Sequence, residues 1–195
     1  MEIKSIAVIG AGPLGRELAR RAARGGFSTL LEDVNSETLE RALLAIRSRI
    51  GEVIHAGRPA AEDCGAALER LTTSRSIEEA MRSAEFIIDT TIDELETKLE
   101  VFTIFDKFAR PGAILASCTS SLPIADIATI TFREDCCVGL KFIEDGANLK
   151  QVCIMRSDRT AEEVMSACAG TLYSMGLPVA VSRDVPISKP EVEAQ

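Results

Sequence analysis

The stretch SIAVIGAGPLG, residues 5–15, joins a short apolar run to a glycine-rich turn. The run Ser5–Ile9 is typical of a buried strand, and an amphipathic helical pattern follows the turn. Gly10 permits a tight turn, Gly12 lets a ligand approach the backbone without meeting a Cβ, and Gly15 allows close packing of helix on strand. The order strand, glycine turn, helix therefore predicts a phosphate-binding turn at a helix N-terminus.

An acidic residue follows the next apolar run, Ser28–Leu31, at Asp33. A carboxylate there accepts hydrogen bonds from the adenosine ribose and repels a 2′-phosphate, which favours NAD over NADP. Glu32, beside it, is interpreted as a solvated neighbour. The residues predicted to bind the cofactor at this turn are Gly10, Gly12, Pro13, Leu14, Gly15 and Asp33.

Short apolar runs alternate with longer helical patterns along the rest of the chain, which predicts helices packed on a mainly parallel sheet. The fold class is thus a single α/β domain of the doubly wound Rossmann type, over residues 1–186, with a loose tail at 187–195. The predicted strands are Ser5–Ile9, Ser28–Leu31, Leu71–Ser74, Phe86–Asp89, Ala113–Ser117, Cys137–Phe142, Gln151–Met155 and Pro178–Val181. The predicted helices are Leu14–Arg24, Asn35 or Ser36 to about Ala56, Pro59–Leu68, Ile77–Ser83, Leu95–Phe108, Leu122–Ile127 and Thr160–Met175.

The composition limits the classes of partner. The net charge of −8 disfavours nucleic acids and anionic membranes as bulk partners, and no apolar run is long enough to span a bilayer. None of the six cysteines forms a C-x-x-C pair, so we expect reduced thiols in a cytoplasmic protein rather than disulfides or a metal site. The only histidine, His55, is interpreted as a surface residue.

The chain resembles the NAD-binding domain of the L-3-hydroxyacyl-CoA dehydrogenase family, which includes 3-hydroxybutyryl-CoA dehydrogenases. The resemblance covers residues 3 to about 186. Besides the glycine turn it rests on the segments ERALLAI, AEFIIDTTIDELETKLEVF, AILASCTSSLPIADIA and VGLKF, which occur in the family's order and spacing.

The resemblance implies further site residues. Asp93 and Lys98 match an acidic residue and a lysine that lie near the nicotinamide ribose, and Ser120 matches a serine that hydrogen-bonds the substrate's 3-oxygen. Two alternatives stay open at this stage. Lys98 could be an exposed helix lysine, and the Ser120 hydroxyl could satisfy only the local backbone of its turn.

The family's catalytic pair does not match. The family has a histidine general base and, twelve residues on, a glutamate that orients it, whereas this chain has Lys141 and Cys153 at those positions. Histidine transfers protons near neutral pH, but lysine does so only after strong desolvation. A thiol also does not hold a cation in place as a carboxylate does. Lys141 is therefore a doubtful catalytic residue.

The family also continues into an all-helical domain that completes the acyl-CoA cleft, whereas this sequence ends at Gln195. We consider three functions: an NAD(H)-binding protein with little or no dehydrogenase activity, an active oxidoreductase on a 3-hydroxyacyl-CoA or small 3-hydroxy acid, and a protein-interaction module. Surface that the helical domain covers in relatives predicts a homo-oligomer, most simply a homodimer.

Overall fold

The computed structural model describes residues 1–55, 61–145 and 148–183 of the chain. The strands are β1 Ser5–Ile9, β2 Ser28–Glu32, β3 Leu71–Ser74, β4 Phe86–Asp89, β5 Ile114–Cys118, β6 Cys137–Asp145, β7 Asn148–Arg156 and β8 Val179–Arg183. The helices are α1 Pro13–Arg24, α2 Ser36–His55, α3 Ala61–Glu69, α4 Ile77–Ser83, α5 Leu95–Phe108, α6 Ile124–Ala128 and α7 Glu162–Ser174. A short 3₁₀ turn spans Glu134–Cys136.

The eight strands form one sheet in the order β3-β2-β1-β4-β5-β6-β7-β8. Strands β1 to β6 pair in parallel, β7 is antiparallel to β6, and β8 is parallel to β7. Parallel neighbours need crossover connections, and helices provide them on both faces of the sheet. The predicted fold class, a mainly parallel Rossmann-type sheet, is confirmed.

Each face of the sheet carries its own apolar core. Ile6 and Val8 of β1 point to the face covered by α1, α2 and α7, whereas Ala7 and Ile9 point to the face covered by α4, α5 and α6. This alternation follows from the two-residue period of a strand. Because both faces are covered, β1, β4 and β5 are buried along nearly their whole length, which fixes the loops at their carboxyl ends.

The main departure from the predicted elements is the hairpin of β6 and β7. The sequence predicts six and five residues for these strands, and the structure has nine in each, because Glu144, Asp145 and Asn148 are poor strand formers and were left out. In the structure these residues continue the antiparallel ladder to the pair Asp145–Asn148, with an irregularity between Ile143 and Glu144. Pairing across the hairpin overrides the weak local propensity.

Smaller differences lie at element ends. Helix α1 begins at Pro13 rather than Leu14, since proline is well tolerated in the first helical turn. Helix α7 begins at Glu162 rather than Thr160, whose hydroxyl instead donates to the Cys137 carbonyl. The side chain of His55 and the predicted tail at 187–195 lie outside the described residues. Across the described helices, none combines the length and apolar character that a membrane span needs.

Candidate dinucleotide site

The strand order reverses between β1 and β4, because the chain runs outward from β1 to β3 and then returns to β4. Ligands of open α/β sheets bind in the crevice at such a switch point, at the carboxyl ends of the strands. Here the loops after the two strands are tied together by Thr90. Its hydroxyl donates to the carbonyls of Ile9 and Gly10 at 2.8 and 3.0 Å.

The three glycines of the turn differ in what surrounds them. Gly10 has a φ of +97°, a conformation that other residues rarely adopt. A Cβ on Gly15 would lie 1.9 Å from the Gly10 carbonyl oxygen, so only glycine lets α1 pack this closely. A Cβ on Gly12 would meet no atom of the described residues within 4 Å. The amino end of α1 is therefore open at Gly12, where we expect a pyrophosphate to bind.

Asp33 organises the same turn. Its Oδ2 accepts a hydrogen bond from the Ala11 amide at 3.0 Å, and its Oδ1 accepts one from the Asn35 amide at 2.9 Å. A carboxylate has about four acceptor positions, so two remain for ribose hydroxyls. The predicted carboxylate and the predicted glycine turn therefore lie together.

Glu32 was interpreted as a solvated neighbour of Asp33, and this is wrong. Glu32 is 3% exposed, and its Oε1 is buried without a hydrogen-bond partner in the described part of the chain. Burial, together with the negative charge of Asp33, raises the pKa of Glu32 to about 7. The difference has a structural reason: Glu32, the last residue of β2, points to the face opposite Leu31, and helices cover both faces of the sheet.

Asp93 and Ser120, predicted separately, are direct partners. The Ser120 amide and hydroxyl both donate to Asp93 Oδ2, at 2.8 and 2.9 Å. Burial raises the pKa of Asp93, but hydrogen bonds from Ser120 and Thr119 and the charge of Lys98 outweigh it, so the pKa lies below its ordinary value. Asp93 therefore holds the Ser120 turn as a charged acceptor.

Lys98 is fully buried rather than exposed. Its Nζ donates to Asp89 Oδ2 at 2.8 Å and to the Thr91 carbonyl at 3.0 Å. Asp89 also accepts hydrogen bonds from Ser117 and Thr91. The hydrogen bond from Lys98 to the Thr91 carbonyl joins the ion pair to the loop that carries Asp93. A direct contact of Lys98 with the cofactor stays a prediction.

Lys141 and Cys153 are direct cross-strand partners in the β6–β7 ladder. Side chains so paired have Cβ atoms about 4.5–5.5 Å apart. Both residues are half-buried, and neither side chain has a hydrogen bond or ion pair to another described residue. The Thr119 amide donates to the Leu140 carbonyl, which places the Ser120 turn beside the start of this pair.

The fold and the site define a class of protein: a Rossmann domain whose glycine turn, together with the carboxylate that follows β2, is arranged to bind a dinucleotide. The family described as "3-hydroxyacyl-CoA dehydrogenase, NAD binding domain" matches residues 5–185. This chain belongs to that family. The family's description confirms NAD as the cofactor.

Individual relatives carry names from the same family. A probable 3-hydroxybutyryl-CoA dehydrogenase of Bacillus subtilis is 32% identical over 186 residues, which are 95% of this chain and 64% of that protein. The 3-hydroxybutyryl-CoA dehydrogenase of Bradyrhizobium diazoefficiens is 28% identical over 94% of this chain and 62% of its own length. A crystal structure of 3-hydroxybutyryl-CoA dehydrogenase from Escherichia coli superposes with a TM-score of 0.88 and 30% identity, covering 95% of this chain and 39% of that one. This chain thus spans less than two thirds of these relatives.

Sequence reasoning missed three features of the site. These are the Thr90 clamp, the Asp89 partner of Lys98 and the burial of Glu32. The nine-residue spacing between Asp89 and Lys98 does not predict their contact. Asp89 ends β4 and Lys98 lies in α5, so only the tertiary fold brings the two side chains together. The burial of Glu32 could have been predicted, because Glu32 ends a strand of a sheet that helices cover on both faces.

Proposed function

We propose that this chain binds NAD(H) as its main activity and has weak or no dehydrogenase activity of its own. The observation that carries the proposal is the cross-strand pair of Lys141 and Cys153. A histidine and a glutamate paired in this way would form a proton relay near neutral pH. Lys141 and Cys153 provide neither the imidazole that transfers protons near neutral pH nor the carboxylate that would orient it.

The geometry of the glycine turn supports the proposal that the chain binds the nucleotide. Gly10, Gly15 and Asp33 keep the contacts that shape a pyrophosphate and ribose site, and the space at Gly12 is open. A turn that no longer bound a nucleotide would have no physical need for an unhindered Gly12. Nucleotide binding without catalysis fits a sensor or a partner subunit.

A second function, an active oxidoreductase, is favoured by one observation. The Lys141 side chain is half-buried and has no ion pair to another described residue, so its charge is available. In this alternative, Lys141 polarises a carbonyl and Ser120 donates a hydrogen bond to the same oxygen. NADH held at the glycine turn would supply the hydride, and the Lys141 ammonium would supply the proton that the reduced oxygen needs. The hydroxy compound formed, which is the substrate of the reverse oxidation by NAD, would be a 3-hydroxyacyl-CoA, as the names of the relatives suggest, or a small 3-hydroxy acid.

One experiment separates the two functions. NADH binding is measured by fluorescence, and acetoacetyl-CoA reduction is followed on the same sample. We expect saturable NADH binding with no turnover above background. Turnover that disappears in Lys141→Ala, but persists in the exposed control Lys107→Ala, would establish the second function and overturn the first. The double variant Lys141→His/Cys153→Glu then tests whether a restored relay increases turnover.

We also propose that the protein is a cytoplasmic homodimer. Among the described strands, β8 lies at an edge of the sheet and pairs with β7 alone, and Val181 on it is 59% exposed. An open edge offers unpaired amides and carbonyls to a second copy. Two-fold symmetry would pair the two β8 strands antiparallel. A protein-interaction module is the remaining alternative, and failure to bind any nucleotide would support it.

A further inference from the structure

Lys141 and Cys153 lie directly opposite each other on β6 and β7, so their side chains share one face of the hairpin. Leu140, the residue before Lys141, points into the core on the other face. A Cβ on Gly139 would lie 3.5 Å from the Cβ of Ile124, so the first residue of α6 covers the preceding position on the shared face. Lys141 and Cys153 come after the covered position and stay half-buried.

The pair lies at the carboxyl edge of the sheet, the edge that also carries the glycine turn. Strand β5 ends at Cys118, which pairs with Leu140 of β6. Lys141, one residue further, therefore lies just beyond the carboxyl end of β5. The Thr119 amide donates to the Leu140 carbonyl at 3.1 Å, so the Ser120 turn starts at the same place. We therefore expect a small ligand at this edge to meet the amine and the thiol together.

The fold uses neither functional group. No hydrogen bond or ion pair joins the Lys141 amine or the Cys153 thiol to another described residue. Lys98 shows the contrast, because its ammonium is satisfied by the Asp89 carboxylate and the Thr91 carbonyl. A half-buried amine without such partners contributes little to stability, since polar groups withdrawn from water need hydrogen bonds. The two groups are therefore available for chemistry.

The other cysteines that the structure describes have different surroundings. Burial raises the pKa of the thiols that lie in the core, which are Cys118, Cys137 and Cys168. Cys136 is half-buried like Cys153, but burial and the neighbouring Asp135 raise its pKa. A raised pKa disfavours the thiolate, which is the nucleophilic form. Among the described cysteines, only Cys153 has a lysine as its cross-strand partner.

A thiol beside an amine is suited to capture acyl groups from thioesters. Exchange of one thioester for another is nearly balanced in free energy, whereas transfer of the acyl group to an amine gives a more stable amide. A well-aligned intramolecular transfer gains an effective molarity of up to about 10⁵–10⁸ M over attack from solution. Cross-strand Cβ atoms lie about 4.5–5.5 Å apart, and the flexible four-carbon stem of lysine spans that distance.

We propose that the Lys141–Cys153 pair is an acyl-acceptor site for small acyl thioesters. In the first step the Cys153 thiolate attacks the thioester carbonyl, a new S–C bond forms and the old C–S bond breaks. The leaving thiolate takes up the proton that Cys153 lost. In the second step the neutral Lys141 amine attacks the same carbonyl, the C–S bond to Cys153 breaks, and the proton released by the amine returns to the thiol. No electron donor or acceptor takes part, and the product is an amide on Lys141.

The amide removes the positive charge of Lys141. An acylated chain would then lack the group that polarises a carbonyl in the second function proposed above, so acyl thioesters would inhibit that activity. The inference rests on the proposed function only in that acyl-CoA is the class of thioester named there. It requires neither bound NADH nor turnover.

The test incubates the full chain with acetyl-CoA at about pH 8, where a larger fraction of thiols is ionised than at neutral pH. Whole-protein mass spectrometry and peptide mapping then locate the acetyl group. We expect one acetyl group on Lys141, stable to hydroxylamine, which cleaves thioesters but not amides. Cys153→Ser should slow acetylation of Lys141 by about tenfold or more, because the intramolecular step is lost. In Lys141→Arg the acetyl group should remain on Cys153 and be removed by hydroxylamine.

Cys136→Ser is the matched control, because Cys136 is half-buried but lies in the 3₁₀ turn rather than opposite a lysine. It should leave the rate unchanged. The exposed Lys107 gives the background rate of attack from solution. Equal acetylation of Lys141 in wild type and Cys153→Ser would overturn the inference, as would acetylation of Lys141 no faster than that of Lys107.

NADH binding, measured by fluorescence on the same samples, separates this inference from the proposed function. Acetylation of Lys141 without NADH binding would contradict the proposed function and support the acyl-acceptor site. NADH binding without acetylation would contradict the acyl-acceptor site and leave the proposed function standing.

Discussion

At the scale of single residues, Asp33 carries both the shape of the turn and the choice of cofactor. One of its oxygens accepts a hydrogen bond from the Ala11 amide of the glycine turn, and we predict that its charge faces the adenosine ribose. A 2′-phosphate placed there would meet that negative charge at short range, where repulsion is strong. Selectivity for NADH over NADPH should therefore depend on this one carboxylate.

The variant Asp33→Asn keeps an oxygen for the Ala11 amide and removes the charge. We expect the ratio of NADH to NADPH affinity to fall by about tenfold or more. Fluorescence titration with both nucleotides measures the ratio. Asp126→Asn, an exposed carboxylate on α6, is the control and should not change it. An unchanged ratio in Asp33→Asn would place cofactor selection elsewhere.

Glu32 should make stability depend on pH. In the folded state its carboxyl keeps its proton up to a pKa of about 7, whereas its ordinary pKa is 4.5. Between these values the folded state binds more protons than the unfolded state. The free energy of unfolding therefore decreases as pH rises from 4.5 to 7, by up to about 3 kcal/mol, and levels off above.

Glu32→Gln removes this titration. Urea unfolding at pH 5 and pH 7.5 should show that the variant loses less stability than the wild-type protein over the interval. Glu40→Gln, an exposed glutamate on α2, should behave like wild type. Equal pH dependence in wild type and Glu32→Gln would mean that Glu32 titrates normally.

At the scale of elements, the Asp89–Lys98 pair joins the end of β4 to α5, at side-chain exposures of 0% and 0%. A buried ion pair contributes little net stability, but loss of one partner leaves a buried charge unpaired and costs about 3–5 kcal/mol. Lys98→Met should therefore destabilise the fold strongly. The double variant Lys98→Met/Asp89→Asn should cost less than the sum of the two single variants, because neither charge remains.

Urea unfolding of the four proteins in this cycle gives the coupling. Lys107→Met on the exposed face of α5 is the control, with an expected change below about 0.5 kcal/mol. If Lys98→Met cost no more than Lys107→Met, the pair would not hold the loop. NADH affinity measured on the same variants shows whether that loop positions Asp93 for the cofactor.

The helices and strands also show which features of the fold can be predicted from the sequence. Helix α5 and strands β1 and β3 have the predicted bounds, because their apolar spacing and their flanking turns agree. The β6–β7 hairpin was predicted too short, because its polar end is held by strand pairing rather than by propensity. Lys98 was correctly placed on α5 but not recognised as buried, since its partner Asp89 is brought to it by the fold.

At the scale of the whole molecule, the glycine turn, Asp33 and the alternation of apolar runs with helical patterns predicted the mainly parallel sheet. The Thr90 clamp had no such signal. Thr90 and Ile9 lie 81 residues apart in the sequence. Only the pairing of β1 with β4 brings the two loops together.

The proposed homodimer is tested at this scale. Light scattering after size exclusion should give twice the 21.0 kDa mass of the chain. Val181→Lys should convert the dimer to a monomer, because a charge on an edge strand opposes pairing. Arg24→Lys on α1 is a charge-neutral control. A wild-type protein that stays monomeric at all concentrations would contradict the edge-strand dimer.

The most direct test of NAD binding by the glycine turn is calorimetry of NADH with wild type and Gly12→Val. A Cβ at Gly12 meets no atom of the described residues within 4 Å, and the φ of Gly12 is −65°, so the variant should fold normally. It would nevertheless fill the space that the pyrophosphate needs. We predict saturable binding to the wild-type protein and none to Gly12→Val at equal thermal stability. Equal NADH affinity in the two proteins would contradict the site.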